Sequence, residues 1–187
     1  LIGLVGSEMC IRDRNMSDQD EAKFRMIEYH KWKFKAKIFS PLAPLTVKRT
    51  PVLMTRVEYG FLGSYNKYKK SPFETFYMGG DGMSGYSSTY ATETIGLRGY
   101  ENGSIAGNGG YNSYGYAYSR LSMELRYPFL LEPSSTIYGL VFVEAGNAWR
   151  DLKDFNPFQL KRSAGVGVRI FLPMIGLMGI DWAYGFD

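Results

Sequence analysis

Cysteine and histidine are almost absent from this sequence, with one of each, Cys10 and His30. A lone cysteine cannot close an internal disulfide, and no Cys/His cluster has the spacing of metal ligands. The expectation is therefore a chain with no metal and no cofactor. His30 has no serine or cysteine of the G-x-S-x-G kind to activate, so nucleophilic catalysis finds no machinery and an enzyme is not expected. No stretch approaches the roughly 20 consecutive apolar residues of a spanning helix, which excludes a helical membrane protein. The charge excess is small: 22 Lys+Arg against 18 Asp+Glu gives +4, too mild and dispersed for a nucleic-acid partner. Glycines 79, 80, 82 and 85 lack the G-x-x-x-x-G-K-[ST] pattern and a following helix, so they are expected to form a mobile loop rather than a phosphate cradle.

The N-terminus, Leu1 to Val5 followed by Glu8, Arg12, Asp13 and Arg14, also lacks the basic start, apolar centre and cleavage site of a secretory signal. If the protein is exported, its signal is expected upstream, making the chain a fragment. Residues 1–18 fit no later pattern and are set aside as a non-native or disordered leader, leaving 19–187 as the folded part.

What is abundant is aromatic residues and glycine: 15 Tyr, 12 Phe, 3 Trp and 22 Gly, the residues of strands, membrane interfaces and tight turns. Slightly negative mean hydropathy is compatible with a β-barrel, whose strands need only about 9–11 residues and place apolar side chains at every second position.

Six segments alternate with period 2. In 22–39, Phe24, Met26, Trp32, Phe34, Ala36 and Ile38 share one face and Lys31, Lys33, Lys35 and Lys37 the other, an inward or rim-facing row. In 46–60, Leu53, Val57 and Tyr59 oppose Arg56 and Glu58, with Pro51 disfavouring a strand locally. Segment 113–127 has the clearest polar face, Tyr116, Tyr118, Arg120, Ser122, Glu124 and Arg126, so Glu124 should face the lumen. Segment 136–147 is mixed, and its facing stays open. Segments 161–172 and 177–186 carry apolar stripes, Ala164 to Leu172 and Met178 to Phe186, with Asp181 on the opposite, lumenal side. Expected turns at 40–45, 128–135 and 173–176 are short; those at 61–112 and 148–160 are long. Such parity fits short periplasmic turns and long external loops, although alternation alone also describes any half-buried antiparallel sheet. The fold class expected is all-β: a partial transmembrane antiparallel β-barrel of about six consecutive strands with one long loop.

Within that loop stand Pro72-Phe73-Glu74-Thr75-Phe76-Tyr77-Met78-Gly79-Gly80 and Ile95-Gly96-Leu97-Arg98-Gly99-Tyr100. Met123 to Pro128, then Phe142-Val143-Glu144-Ala145-Gly146-Asn147-Ala148-Trp149, then Arg162 to Arg169 follow in order. Together these resemble the outer-membrane assembly factor (BamA) family, over roughly residues 20–187. The family often has Asp where Glu144 stands. The resemblance implies a C-terminal part of the barrel without its last strand, located in the outer membrane. It also implies an aromatic-Gly-Gly segment (Phe76, Tyr77, Gly79, Gly80), an acidic box with Gly146 and Trp149, and a loop folded into the lumen through Arg98, Gly99 and Tyr100.

Arg98 would then meet lumenal carboxylates, with Glu124 and Glu144 the natural partners, because a guanidinium forms directional bidentate bonds with carboxylates. The alternative leaves Arg98 exposed, with Glu124 pairing Arg120 or Arg126. The implied function is folding and insertion of β-barrel proteins, with unfolded barrel substrates, other assembly-machine subunits and the lipid bilayer as partners. The rivals are a related two-partner-secretion pore and, further off, a passive porin selecting anions through the Lys31–Lys37 row.

Overall fold

The computed structural model describes residues 8–9, 29–44, 49–65, 74–82, 93–105, 114–132 and 135–187. Long strands dominate: β2 (Tyr29–Pro41), β3 (Val52–Ser64), β6 (Ala117–Glu132), β7 (Ser135–Trp149), β8 (Lys161–Leu172) and β9 (Gly176–Gly185). They form an antiparallel meander in the order β2-β3-β6-β7-β8-β9, and a two-residue strand, β1 (Glu8–Met9), pairs with the outer side of β2. Of the leader 1–18, only residues 8–9 are among those described. Phe24, Met26, Pro72, Phe73 and Gly85 also lie outside the described residues. Two short strands, β4 (Phe76–Met78) and β5 (Glu93–Ile95), make a parallel pair inside the long connection between β3 and β6.

The six expected strands are present, with shifted ends that have local causes. The second begins at Val52 rather than 46, directly after Pro51, which has no N–H to give a ladder. The turn expected at 40–45 consequently moves to after Pro41, where β2 ends; residues 45–48 lie outside the described residues. The third begins at Ala117, because Gly115 exchanges hydrogen bonds with Phe76 of the loop (2.9 and 2.7 Å). It runs on to Glu132 where a turn was expected at 128–135, since the register slips between Pro128 and Leu130. That bulge accommodates the missing proline donor within the strand.

Register assigns the two faces. Lys35 lies opposite Glu58, Glu58 opposite Arg120, Ser122 opposite Glu144 and Glu144 opposite Ser163. One continuous polar face results, and it settles the open facing of the fourth segment: Tyr138, Leu140, Phe142 and Glu144 point inward. Burial runs opposite to that of a water-soluble sheet. Lys31, Glu58, Ser122, Glu124, Glu144 and Ser163 are buried, whereas Trp32, Met123, Val141, Val143, Val166, Ile180 and Trp182 are exposed. An apolar face turned outward and a polar face turned inward is the pattern of a barrel wall with a wet lumen. The sheet is open in this chain, a partial barrel.

The buried apolar cluster comes mostly from the loop. Phe76, Met78, Ile95, Leu97 and Ile105 pack with Leu62, Tyr118 and Ala148 of the wall. The loop thus plugs one end of the inner face, stitched together by Gly79 N–H to Ile95 O (3.0 Å), Gly80 N–H to Tyr100 O (3.0 Å) and Ile105 N–H to Met78 O (3.2 Å).

Candidate functional site

Strand period places Glu124, Glu144 and Asp181 on the inner face of β6, β7 and β9, and the loop delivers Arg98 among them. Arg98 Nη2 donates to Glu124 Oε1 (2.6 Å) and Glu144 Oε1 (2.7 Å), Nη1 donates to Asp181 Oδ2 (3.1 Å), and the Arg98 backbone N–H donates to Glu144 Oε2 (2.9 Å). The guanidinium carbon lies 3.5 Å from the centroid of the Phe142 ring, which floors the site. Planar stacking below and several carboxylates around the edge match the shape of arginine and would suit lysine poorly.

The carboxylates are themselves shared. Glu144, fully buried, also accepts from Arg120 Nη2 (2.9 Å) and Ser122 Oγ (3.1 Å). Glu124 Oε2 takes Arg126 Nε (3.0 Å) and Nη2 (2.7 Å), Asp181 takes Arg169 Nη2 (2.6 Å), and Glu58 stands 3.8 Å from Arg120. Four guanidinium groups, of Arg98, Arg120, Arg126 and Arg169, therefore meet four carboxylates, of Glu58, Glu124, Glu144 and Asp181. Arg56 of β3 adds a fifth guanidinium on the same face, opposite Ser122, so it is the close pairing of each carboxylate that makes so much buried charge tolerable, because an unpaired buried ion is costly. Burial alone would weaken proton binding by Arg98, but the hydrogen bond and charge of Glu144, reinforced by Glu124, outweigh it and hold the guanidinium above its ordinary value.

The rest of the Arg-Gly-Tyr tip fits against β8 and β9. Gly99 has φ +92°, and a Cβ there would sit 3.0 Å from the backbone of Tyr184 and Gly185 and 3.1 Å from Ser163 Cβ. A side chain at this position would be strained and crowded at once. Tyr100 Oη donates to Arg162 O (2.8 Å), so the ring end is tied to β8.

The supporting positions divide by role. Phe76 is fully buried, edge-on to Tyr118 with ring centroids 4.6 Å apart; Tyr77 Oη donates to Asn102 O (3.3 Å); Gly79 and Gly80 make the turn after β4. Gly146 faces inward beneath Met78 and Leu97, and a Cβ there would strike Met78 Cε. Trp149 belongs to the opposite face, packed edge-on to Phe155 at 4.7 Å. The acidic box thus combines an ion-pair partner, a floor for the loop and a rim anchor.

Sequence reading paired Arg98 with Glu124 and Glu144, both of which the structure brings to it. Pairing of Glu124 with Arg126 accompanies that contact and does not replace it. Asp181 was expected to do no more than face the lumen; here it is a third partner of Arg98 and binds Arg169. Its lumenal facing was visible in the alternation, but its approach to Arg98 depends on how the sheet carries β9 round to the loop. The lysine row was likewise left without a partner. Lys31, Lys33 and Lys35 in fact converge on loop carboxylates, with Lys33 Nζ 2.6 Å from Glu93 and Lys31 Nζ 2.8 Å from Glu74. Among the described residues, no group of His, Cys, Asp and Glu is arranged to hold a metal ion.

Comparison with known proteins matches residues 23–187 to the Omp85 superfamily domain. No curated protein matches the chain.

Proposed function

The chain belongs to the Omp85 superfamily, and from that membership we propose that it is the C-terminal barrel part of an outer-membrane assembly factor that folds and inserts other β-barrel proteins. Membership and the strand fold together support an outer-membrane location and a role in protein insertion or translocation. The loop arginine seated on three lumenal carboxylates of different strands supports a superfamily role of either kind; the finer assignment rests on the resemblance of the ordered motifs to the assembly-factor family. A long loop spends conformational freedom to be held there, and such a clamp braces the inner wall against deformation.

In this reading catalysis is physical. A strand edge in lipid leaves N–H and C=O groups unsatisfied at several kcal/mol each, so a barrel able to offer a strand edge lowers the barrier to inserting another strand. No covalent step, nucleotide or metal takes part. The partners are unfolded barrel substrates, other assembly subunits and the bilayer itself.

A passive anion-selective porin fits less well, because three lysines of the row that would line its path are already engaged by Glu74 and Glu93. The deciding experiment is Arg98→Ala in the intact gene, following the assembly of unrelated outer-membrane barrels. The proposal expects those barrels to accumulate unfolded. Normal barrel assembly with failed secretion of one soluble partner protein would assign the chain to the translocation pores instead. Normal assembly and viability with unaltered secretion would remove both.

A further inference from the structure

The loop carries charge of both signs, and its negative charge lands on a different strand from its positive charge. Lys31, Lys33 and Lys35 occupy alternate positions of β2 and so share its inner face. Their ammonium groups gather on Glu93: Lys33 at 2.6 Å, Lys31 at 3.3 Å and Lys35 at 3.6 Å. Lys31 also donates to Glu74 Oε2 at 2.8 Å and lies 5.0 Å from the centroid of the Phe76 ring. The parallel pairing of β4 and β5 sets Glu93 opposite Phe76, two residues after Glu74, which brings both acids to the same row.

Two details separate this cluster from ordinary surface ion pairs, which contribute little. Lys31 is only 4% exposed, so its charge cannot simply revert to water. Glu74 has φ +65°, the one positive value at a non-glycine position among the described residues. That conformation is costly for a side chain of this kind. Glycine or asparagine would serve the backbone better, so the glutamate side chain has to contribute something in return, and its contact is with the buried ammonium.

We propose that Glu93 and Glu74 form a second latch, of opposite polarity to Arg98, which fastens the β4–β5 arm of the loop to the lysine row of β2. With Arg98 fastened to β6, β7 and β9, the loop becomes a tie-bar across the inner wall, anchored at both ends. The tie-bar stands on the geometry alone and survives if the assembly reading fails.

The test uses hydrogen exchange of the intact protein in membranes, comparing the β4–β5 arm (76–78 and 93–95) with the Arg98–Tyr100 tip. Glu93→Lys is expected to speed exchange in the arm at least tenfold while the tip stays within about twofold. Glu93→Gln, which introduces no repulsion and threatens folding less, is expected to act in the same direction more weakly. The reciprocal exchange, Glu93→Lys with Lys33→Glu, is expected to restore protection. Unchanged exchange in the arm of both single variants overturns the proposal. So does a reciprocal pair no better protected than Glu93→Lys alone, or an equal rise in arm and tip, which would make the loop one unit with a single clamp.

Discussion

Replacing Glu144 by Gln removes one charge and almost no volume, and its effect can be worked out from the contacts. The carboxylate accepts from the Arg98 backbone, the Arg98 and Arg120 guanidiniums and Ser122. An amide offers one acceptor oxygen and presents N–H donors elsewhere, so a donor must face a donor. Breaking a buried ion pair from one side costs about 3–5 kcal/mol. The lower figure applies to the tip, because Arg98 keeps Glu124 and Asp181; the loss at Arg120, which keeps only the more distant Glu58, falls on the wall. About 3 kcal/mol corresponds to roughly a hundredfold shift in the equilibrium between docked and released tip.

The apolar plug pulls the other way. Burying Phe76, Met78, Ile95, Leu97 and Ile105 is worth about 1.5–3 kcal/mol each, on the order of 10 kcal/mol together and an upper bound. The plug therefore outweighs the lost charge. In Glu144→Gln the loop should stay inside while the Arg98–Tyr100 tip comes loose. Hydrogen exchange should rise about a hundredfold at 98–100 and little at 76–78. Unchanged exchange at the tip, or release of the whole loop, would refute this balance.

Gly146→Val puts a side chain where Met78 already sits, with the Ser119 carbonyl 3.0 Å from the new Cβ. Overpacking of about 1–3 kcal/mol should lower the temperature at which the barrel unfolds, read from heat-dependent migration on gels, without loosening the Arg98 tip. On the outward face, Val143→Arg should reduce barrel stability in bilayers by about 2–4 kcal/mol if it lies near the midplane, measured by reversible denaturant unfolding; the same change should cost far less in detergent-free water if the face were not in lipid. The latch at Glu93 should also respond to acid. Burial alone would raise its carboxyl, but the Lys33 hydrogen bond and the charges of Lys33, Lys31 and Lys35 hold it below the ordinary glutamate value. A depressed carboxyl stabilises docking fully above its ordinary range, about 4.3, and loses that contribution as pH falls through the depressed value. A fluorophore at Thr94→Cys should report an unchanged arm at pH 5 and, only in stronger acid, an arm that is looser but still held inside by the apolar plug.

The parts of this structure that obey a period were legible in the residues. Alternation identified the six long strands and put Lys31, Glu58, Glu124 and Asp181 on one face, because a one-residue slip would reverse every side chain. The Arg-Gly-Tyr tripeptide and the acidic box pointed to Arg98 and Glu144, and the polar face of segment 113–127 added Glu124. Strand ends were less legible, since they turn on single events: Pro51 delays β3, the bulge at Pro128 carries β6 onward, and Gly115 is claimed by the loop. Asp181 and the lysine row were seen with the correct facing but without partners. Their contacts come from sheet curvature and from the path of a loop that has no period, and the parallel β4–β5 pair that positions Glu93 leaves no alternating signature over three residues.

Short-range thiol cross-linking reads the central arrangement most directly, in the intact protein with Cys10→Ser to remove the one cysteine of this sequence. Arg98 and Glu144 are left in place, and Tyr100→Cys is combined in turn with Ser163→Cys, on the inner face beside the tip, and with its neighbour Ala164→Cys, on the opposite side of the wall. The pair 100–163 should join efficiently through a short bifunctional thiol reagent, and the pair 100–164 should not. Equal joining of both pairs, or joining through 164 alone, would contradict a loop arginine held against the inner face.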